Sequence, residues 1–485
     1  MERRLQDILQ CVDVVQSMGD LSIGISALNY DSRRVCAGDC FFAVVGVQSD
    51  GHTYIPQAVE RGARAVVCER LPEDLVDGVC YVQVTDVNAA MADMAAAFYD
   101  YPSRELKLVG VTGTNGKTTT ATLLYDLFRM LGYRAGLIST VIYKVGEREI
   151  ESTHTTPDAI RLNAMLREMV DEGCDYCFME CSSHAIAQDR IRRLQFAGGM
   201  FTNLTHDHLD YHKTFAEYIR VKKLFFDHLP SEAFALTNID DRNGRVMVQN
   251  TRAMVRTLSL RSMADFRCKV VEMLLDGMLL RLDGEEVWVK CIGRFNAYNI
   301  LTIYAAALML GQRKEEVLTA ISALQSVSGR FEYIRAVDGT TAVVDYAHTP
   351  DALENVIETI EEIRQPSQKL IVLCGCGGDR DKSKRPEMAA IAVKYADISI
   401  FTSDNPRTES PEQILQDMVE GLPADARYVK IADRGEAIRT AAMLAAAGDI
   451  ILLAGKGHET YQVIGTEKIH FDDREEIRKY FANRK

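Results

Sequence analysis

The sequence predicts an α/β protein of three domains with a phosphate-binding loop in the central domain. Apolar runs alternate with helical patterns along most of the chain, which is typical of largely parallel sheets covered by helices. One of these runs, LKLVGVT, leads into the glycine-rich turn GTNGKTTT and then into an amphipathic helical pattern. The length of 485 residues fits about three domains at roughly 100–200 residues each.

Changes in this pattern place two domain boundaries. Residues 1–103 contain short apolar runs such as CFFAVVG and AVVCE, and the linker-like segment DYPSRELK follows them. Residues 104–330 begin with LKLVGVT, and residues 331–485 contain the strand-like runs KLIVLCG, DISIFTS and DIILLAG. The first segment, MERRLQDILQCVDVVQSM, is too charged for a signal peptide, and we expect an amphipathic helix there.

The charge and cysteine content exclude several classes of protein. Lys and Arg number 56 against 69 Asp and Glu, for a net charge of −13, which argues against a nucleic-acid or anionic-membrane partner. We find no apolar run near the ~18 residues of a membrane-spanning helix. The twelve cysteines are expected to be reduced thiols in a cytoplasmic protein. Cys174, Cys177 and Cys181 lie close together, but without a second ligand pair we do not expect a zinc or redox site.

The turn after LKLVGVT has the chemistry of a nucleotide-binding loop. Its glycines let backbone N–H groups face a phosphate, and the helix N-terminus adds partial positive charge. Lys117 can reach the outer phosphates, and the Thr118 hydroxyl can ligate Mg²⁺. The strict pattern G-x-x-x-x-G-K-[ST] is broken, because Val111 stands where its first glycine would be. GKTTT directly after a strand nevertheless predicts ATP contacts from Gly113, Thr114, Asn115, Gly116, Lys117, Thr118 and Thr119.

A phosphate-binding loop also needs a carboxylate near the end of a neighbouring strand to hold the metal ion. Glu180 closes the strand-like run YCFME and is the candidate. From spacing alone, Glu180 could equally be a polar residue that ends a strand.

Several long motifs follow one another in a familiar order. They are HTTP at 154–157, ECSSHAIAQDR at 180–190, NLTHDHLDYH at 203–212, GRFNAYN at 293–299 and DYAHTPDAL at 345–353. With DSRRV and VVGVQSDGHTYI near the N-terminus, they make the chain resemble the Mur ligase family, which adds amino acids to UDP-N-acetylmuramic acid. The resemblance implies an N-terminal UDP-binding α/β domain, a central P-loop domain and a C-terminal dinucleotide-fold-like α/β domain that closes over the site.

Within that family the chain is most similar to members that add meso-diaminopimelate to UDP-N-acetylmuramoyl-L-alanyl-D-glutamate. The resemblance implies that ATP converts the glutamate carboxylate into an acyl phosphate, which the amine then attacks. It implies Mg²⁺ as cofactor and a CO₂-derived carbamate on Lys222. The implied catalytic residues are Lys117, Glu180, His208 and Lys222, and the implied metal ligands are Thr118, Glu180, His208 and carbamylated Lys222.

The resemblance also implies the substrate contacts. Asn299, Arg330 and Asp345 would bind ATP. Ser32 and Gln48 would bind the uridine end of the muramyl substrate, and its peptide end would meet Thr155, Thr156, Ser182, Gln188 and Arg190. Diaminopimelate would be held by Arg380, Asp404, Asn405, Pro406, Arg407, Gly455 and Glu459. Arg407 would pair with the far carboxylate of diaminopimelate, which lysine lacks, and Glu459 with an ammonium group.

Lys222 is the least obvious of these residues. In YIRVKKLFF it has the position of a solvated helix lysine, and the adjacent Lys223 competes with it for the same role. The spacing from Asp207 in the family motif favours Lys222.

Three other functions remain open. A lysine-adding Mur ligase would not need Arg407, and a folate polyglutamate ligase would not need the N-terminal block. A P-loop ATPase acting as a motor or switch would hydrolyse ATP without an acceptor. We expect a monomer.

Overall fold

The computed structural model describes residues 2–46, 49–205, 209–482 and 484. Its sheets fall into three successive parts of the chain, each with its own hydrophobic clusters. None of the described helices is both long and apolar enough to cross a membrane.

The N-terminal part contains a mixed five-stranded sheet in the order β2-β7-β6-β5-β4, in which only β2 runs antiparallel to its neighbour. The strands are β1 (Arg3–Arg4), β2 (Val14–Met18), β3 (Gly24–Ile25), β4 (Leu28–Asn29), β5 (Cys40–Phe42), β6 (Ala65–Cys68) and β7 (Cys80–Val84). The helices are α1 (Leu5–Ile8), α2 (Ile55–Glu60) and α3 (Val87–Phe98), with 3₁₀ turns at Ser32–Arg34, Gly51–Tyr54 and Pro102–Arg104.

The expectation of an amphipathic helix over the first eighteen residues is wrong. Only α1 is helical there, and VVQSM forms β2 instead. The two valines favour a strand, and the edge of β7 supplies its backbone partners, so pairing overrides the helical pattern.

The central part is an eleven-stranded sheet in the order β11-β10-β9-β12-β8-β13-β14-β15-β16-β17-β18. Its strands are β8 (Lys107–Thr112), β9 (Ala135–Ile138), β10 (Ile142–Val145), β11 (Arg148–Glu151), β12 (Tyr176–Glu180), β13 (Phe196–Phe201), β14 (Phe234–Asn238), β15 (Met254–Ser259), β16 (Phe266–Leu274), β17 (Gly277–Leu282) and β18 (Glu285–Val289). Its helices are α4 (Lys117–Met130), α5 (Ala159–Asp171), α6 (Ser183–Ala187), α7 (Leu209–His212), α8 (Phe215–Asp227), α9 (Gly244–Met247), α10 (Arg294–Met309) and α11 (Lys314–Ala323).

The middle of this sheet is parallel, and antiparallel pairs extend it at both edges. Alternate residues of β8 face opposite sides: Leu108 joins one hydrophobic cluster, while Val109 and Val111 join the other. Both faces are therefore covered, as expected for a parallel sheet. In the register of β12 and β8, Glu180 lies opposite Val111, which brings its carboxylate to the start of the glycine-rich loop.

The C-terminal part has a six-stranded sheet in the order β19-β20-β24-β21-β22-β23, parallel except for β19, and a separate hairpin of β25 and β26. The strands are β19 (Glu332–Arg335), β20 (Thr341–Asp345), β21 (Leu370–Cys374), β22 (Ile398–Phe401), β23 (Tyr428–Lys430), β24 (Ile450–Ala454), β25 (Tyr461–Ile464) and β26 (Glu467–His470). The helices are α12 (Pro350–Ile363), α13 (Lys384–Tyr395), α14 (Pro411–Val419), α15 (Arg434–Leu444) and α16 (Asp473–Phe481). Ligand-binding loops in such sheets follow the carboxyl ends of the strands.

Candidate active site

The glycine-rich loop between β8 and α4 has the shape that phosphate binding requires. Gly116 has φ of +87°, and a Cβ there would lie 2.6 Å from the Asn299 Oδ1 atom. A Cβ at Gly113 would overlap the Thr202 hydroxyl. The Lys117 ammonium folds back over the loop and donates to the carbonyls of Gly113 (3.0 Å) and Thr114 (2.8 Å). The loop therefore combines a lysine ammonium, glycine backbone and the N-terminus of α4, which are the groups that bind a phosphate.

Glu180 is a buried carboxylate beside this loop. Its Oε1 atom accepts hydrogen bonds from the Thr118 hydroxyl (2.9 Å) and the Thr140 backbone N–H (2.7 Å). Carboxylate and hydroxyl oxygens are the donors that Mg²⁺ prefers, so Thr118 and Glu180 suit a metal. Within the described residues, no group of three or more His, Cys, Asp or Glu is placed to hold a metal ion. The predicted ligand His208 lies outside the described residues.

Lys222 is buried on α8, so its likeness to a solvated helix lysine is misleading. It shares a helix face with Tyr218, Phe225 and Phe226, at the spacing of a core-facing stripe. Its ammonium donates to the carbonyl of Gly113 at 2.8 Å and lies 3.3 Å from the Thr112 hydroxyl. Lys223 points elsewhere and forms an ion pair of 2.6 Å with Asp227. Of the two adjacent lysines, Lys222 is the one that reaches the phosphate loop.

A cavity of about 330 Å³ lies between the central and C-terminal parts beside the loop. It contains several predicted ATP contacts, namely Asn115, Gly116, Thr119, Asn299, Arg330 and Asp345. Arg330 Nη2 lies 3.3 Å from the Thr118 hydroxyl. Asp345 accepts a hydrogen bond of 2.7 Å from the Phe331 N–H, and burial raises the pKa of its carboxyl to about 6.

Sequence reasoning missed two contacts of this cavity. Asn115 Nδ2 donates to Asp351 at 2.7 Å and so joins the loop to α12. The Tyr298 hydroxyl donates to Asp240 at 2.8 Å along the cavity wall. Asp351 lies in the motif DYAHTPDAL and Tyr298 in GRFNAYN, so these two motifs could have pointed to both residues.

The residues predicted for the muramyl peptide lie together behind Glu180. The Thr156 hydroxyl donates to the Glu180 carbonyl (2.7 Å) and accepts from the Ser182 N–H (3.1 Å). Arg190 donates to the Gln188 side-chain oxygen (2.6 Å) and to the Thr156 carbonyl (2.7 Å). Burial lowers the pKa of the Arg190 guanidinium from its usual value. The cluster therefore offers hydroxyls, an amide and a guanidinium, all suited to a peptide carboxylate.

Thr155 joins this group indirectly. Its hydroxyl accepts a bond of 3.0 Å from Thr140, whose hydroxyl also lies 3.2 Å from Glu180.

Of the two residues predicted to contact the uridine, the structure describes only Ser32. Ser32 is buried in the N-terminal part and donates to Gln57 at 2.7 Å. Gln48 lies outside the described residues. The nearby Tyr30 hydroxyl reaches across to Asp158 (3.5 Å), so the N-terminal part meets the central one beside the Arg190 cluster.

The predicted diaminopimelate residues come from loops after three parallel strands. Arg407 Nη1 donates to the Gly378 carbonyl at 2.8 Å. Asn405 Nδ2 donates to Glu459 at 2.9 Å, and Gly455 approaches Asp404 closely. Pro406 is buried in the same segment, whereas Arg380 is exposed in the loop after β21. The structure thus brings the segment 404–407 together with Gly455 and Glu459, and Arg380 lies at the edge of this group.

Lys456 is a further charged residue of this region that sequence reasoning passed over. It is buried, and its ammonium forms an ion pair of 3.0 Å with Glu459 and donates to the Tyr461 carbonyl. The Tyr346 hydroxyl lies 3.4 Å from the other Glu459 oxygen. Glu459 is therefore held in place by the protein's own donors.

Family comparisons match most of the chain. The model described as "Mur ligase family, catalytic domain" matches residues 24–99, "Mur ligase middle domain" residues 111–307, and "Mur ligase, glutamate ligase domain" residues 329–457.

Individual relatives are similar over nearly the full length. The UDP-N-acetylmuramoyl-L-alanyl-D-glutamate--2,6-diaminopimelate ligase of Phocaeicola vulgatus is 56% identical, covering 99% of this chain and 100% of the relative. The protein of the same name from Bacteroides thetaiotaomicron is 54% identical, with 98% and 99% covered. A solved structure of a UDP-N-acetylmuramoyl-L-alanyl-D-glutamate--2,6-diaminopimelate ligase has a TM-score of 0.70 at 31% identity and covers 99% of both chains.

Folylpolyglutamate synthase of Mycobacterium tuberculosis has a TM-score of 0.60 at 18% identity, covering 74% of this chain and 91% of that chain. At that identity the similarity shows a shared fold alone. The predicted three-domain α/β fold, the ATP-dependent ligase class and the predicted family are confirmed. The chain belongs to the Mur ligase family.

Proposed function

We propose that this chain couples meso-diaminopimelate to the D-glutamate of UDP-N-acetylmuramoyl-L-alanyl-D-glutamate at the expense of ATP. The observation that carries the proposal is the 56% identity, over nearly the whole of both chains, to a relative whose name states this amino acid. The segment Asp404 to Arg407 and the Glu459 carboxylate lie together in the C-terminal part, where a second amino acid can bind.

The first step joins two anions, because the glutamate carboxylate must attack the γ-phosphate of ATP, which forms the acyl phosphate and releases ADP. Lys117 at the Gly113 carbonyl and Arg330 beside the Thr118 hydroxyl supply positive charge to this loop. Thr118, Glu180 and His208 would hold Mg²⁺, which when bound neutralises charge on the phosphates. Arg190, Gln188 and Thr156 would fix the peptide that carries the attacking carboxylate.

We infer that Lys222 carries a CO₂-derived carbamate in the active enzyme. Its nitrogen and that of Lys117 both lie within hydrogen-bond distance of the Gly113 carbonyl at the base of the phosphate loop, so two ammonium groups would carry like charge close together there. A carbamate turns this cation into a carboxylate-like anion, with the oxygen chemistry that Mg²⁺ prefers.

The second step is attack of an amine of diaminopimelate on the acyl phosphate, with phosphate as leaving group. Arg407 would pair with the distant carboxylate, with Arg380 nearby in the loop after β21. Asp404, Asn405, Pro406, Gly455 and Glu459 would hold the amino-acid end. No protein side chain forms a covalent intermediate.

The same proposal covers the setting of the enzyme. Residues 1–103 would bind UDP, 104–330 ATP and 331–485 the incoming amino acid. We propose that the enzyme acts as a monomer in the cytoplasm on small-molecule substrates, without nucleic acid and without inserting into a membrane. Ser32 and Gln48 would contact the uridine.

Steady-state ATP turnover tests this function. Phosphate release should require both the UDP-dipeptide and meso-diaminopimelate, and mass spectrometry should find the UDP-tripeptide. Turnover of equal rate without either acceptor would instead indicate a P-loop ATPase of another kind. Turnover with folate and glutamate would favour the polyglutamate ligase, and preference for L-lysine the lysine-adding homologue.

A further inference from the structure

Two buried arginines lie at the two ends of the segment Asp404 to Arg407. Among the residues that the structure describes, Arg385 and Arg434 are the arginines whose side chains are fully buried. Burying a guanidinium is costly, and it is tolerated only when the charge is paired and hydrogen-bonded. Both buried guanidinium groups lie next to the same short segment, which suggests that they hold its backbone in place.

Arg434, the first residue of α15, connects the loop after β22 with the loop after β24. Its guanidinium forms a two-bond pair with Asp473 of α16, at 2.7 and 2.6 Å. The remaining donors reach the carbonyls of Ser403 (3.2 Å) and Ala454 (3.1 Å). Ser403 and Ala454 immediately precede Asp404 and Gly455, two of the residues proposed to bind diaminopimelate.

The two carbonyls are not neighbours in the sheet. Ala454 ends β24 and Ser403 follows β22, and β21 lies between these strands. The planar guanidinium reaches both carbonyls while it is held by Asp473, and so connects two loops whose strands are not adjacent. Arg434 thereby sets the distance between the loop that contains Arg407 and the loop that contains Glu459.

Arg385, on α13, fixes the other end of the segment. It donates to both carboxylate oxygens of Glu409 (3.0 and 2.9 Å), to Asp417 (2.7 Å) and to the Gly377 carbonyl (3.3 Å). The Glu409 carboxylate also accepts from the Asp379 N–H (2.7 Å). Through these bonds the loop after β21, which contains Arg380, is joined to the residues that follow Arg407.

The backbone of the segment needs such restraint. Arg407 has φ of +51° and Asp379 has φ of +54°, a left-handed conformation that is unfavourable for residues with a Cβ. Strained residues of this kind persist only where the surroundings hold them. Hydrogen bonds from the Arg407 N–H to Val463 and from the Gly465 N–H to the Arg407 carbonyl hold it on one side. The two buried arginines hold the chain before and after it.

We propose that Arg434 and Arg385 are positioning residues that set the spacing between the groups recognising the two ends of the incoming amino acid. The inference rests on the proposed function for the identity of that amino acid. Diaminopimelate carries its far carboxylate at a fixed number of bonds from the reacting amine, so a fixed spacing between loops selects for length. Both side chains are buried, so we expect neither to touch the substrate itself.

Arg434→Lys and Arg385→Lys test this role, since each keeps the charge and removes the planar fork. KM for meso-diaminopimelate should rise about tenfold to a hundredfold. KM for ATP and for the UDP-dipeptide should stay within about twofold, as expected for a distant site. The preference for diaminopimelate over a diamino diacid one methylene shorter should fall. If Arg434→Lys does not fold, Asp473→Asn, which keeps the shape and removes the counter-charge, should give the same pattern.

Ile477→Ala is the matched control, because Ile477 lies on α16 with Asp473 and is buried in a hydrophobic cluster. It should lower the melting temperature as the arginine variants do and leave KM for diaminopimelate unchanged. An equal rise in KM in the control, or no rise in either arginine variant, overturns the inference. A wild-type enzyme that does not use diaminopimelate contradicts the proposed function instead, and the same variants are then measured with the amino acid it does use.

Discussion

The proposed phosphate-binding region and the proposed amino-acid-binding region of this molecule are built in opposite ways. The first is a continuous stretch, residues 110–120, completed by Glu180 from the adjacent strand. The second is gathered from residues 377–380, 404–409 and 455–463, and ion pairs of the buried Arg385, Arg434 and Lys456 lie around it. A phosphate needs backbone N–H groups and one cation, which a single turn supplies. Recognising both ends of an amino acid needs charges at a set distance, which only tertiary structure supplies.

The largest expected effect is in the phosphate-binding region. Glu180→Gln keeps the size of the side chain and removes the charge that would hold Mg²⁺. We expect kcat to fall about 10³-fold, with a smaller change in ATP affinity, because the charge acts mainly on the transferring phosphoryl group. The measurement is kcat against Mg²⁺ concentration together with ATP binding. An unchanged Mg²⁺ dependence would remove Glu180 from the metal site.

Arg407→Ala tests the amino-acid-binding region. Leaving the far carboxylate of diaminopimelate without its partner should lower kcat/KM for diaminopimelate about 10²-fold or more, since truncating one member of a buried charge pair costs about 2–5 kcal/mol. Affinity for ATP and for the UDP-dipeptide should change little. Lysine activity need not appear, because removing Arg407 does not build a pocket for a lysine ammonium. Full activity with diaminopimelate would show that Arg407 does not contact it.

Lys222 and Lys223 give a matched pair on one helix. Lys222→Ala should lower activity about 10–100-fold, as is usual when a group that supports a metal site is lost. Because Lys222 is buried, the variant should also melt at a lower temperature, unlike a surface lysine. Lys223→Ala, which breaks only the pair with Asp227, should keep nearly full activity. Mass spectrometry of the wild type in bicarbonate should detect the added carboxylate; equal loss in both variants would argue against a special role for Lys222.

The smallest effect concerns stability and pH. Burial raises the pKa of Asp345 from 3.8 to about 6 in the folded protein. A raised folded pKa stabilises the protein below the unfolded pKa, and this stabilisation is lost as pH rises through about 6. Relative to Asp345→Asn, the ligand-free wild type should therefore lose on the order of 1–3 kcal/mol of unfolding free energy between about pH 4 and pH 7. Parallel pH profiles of the two proteins in urea unfolding would contradict this ionisation.

The same difference explains which parts of the site could be predicted from the sequence. The loop around Lys117 and the strand that ends at Glu180 follow from local pattern, and the domain order follows from the succession of motifs. Burial of Lys222 depends on which face of α8 packs inward. The sequence does not show this, because Lys222 and Lys223 are adjacent and either could be the buried one. The role of Arg434 was hidden because its partners, Ser403, Ala454 and Asp473, come from distant segments and match no short motif.

A competition experiment tests the central claim most directly. With ATP, the UDP-dipeptide and equimolar meso-diaminopimelate and L-lysine, mass spectrometry identifies which amino acid enters the product. An unsatisfied Arg407 should reject lysine, so we expect the diaminopimelate tripeptide in excess by about 10³-fold or more. Comparable amounts of the two tripeptides, or mainly the lysine product, would contradict both the role of Arg407 and the proposed function.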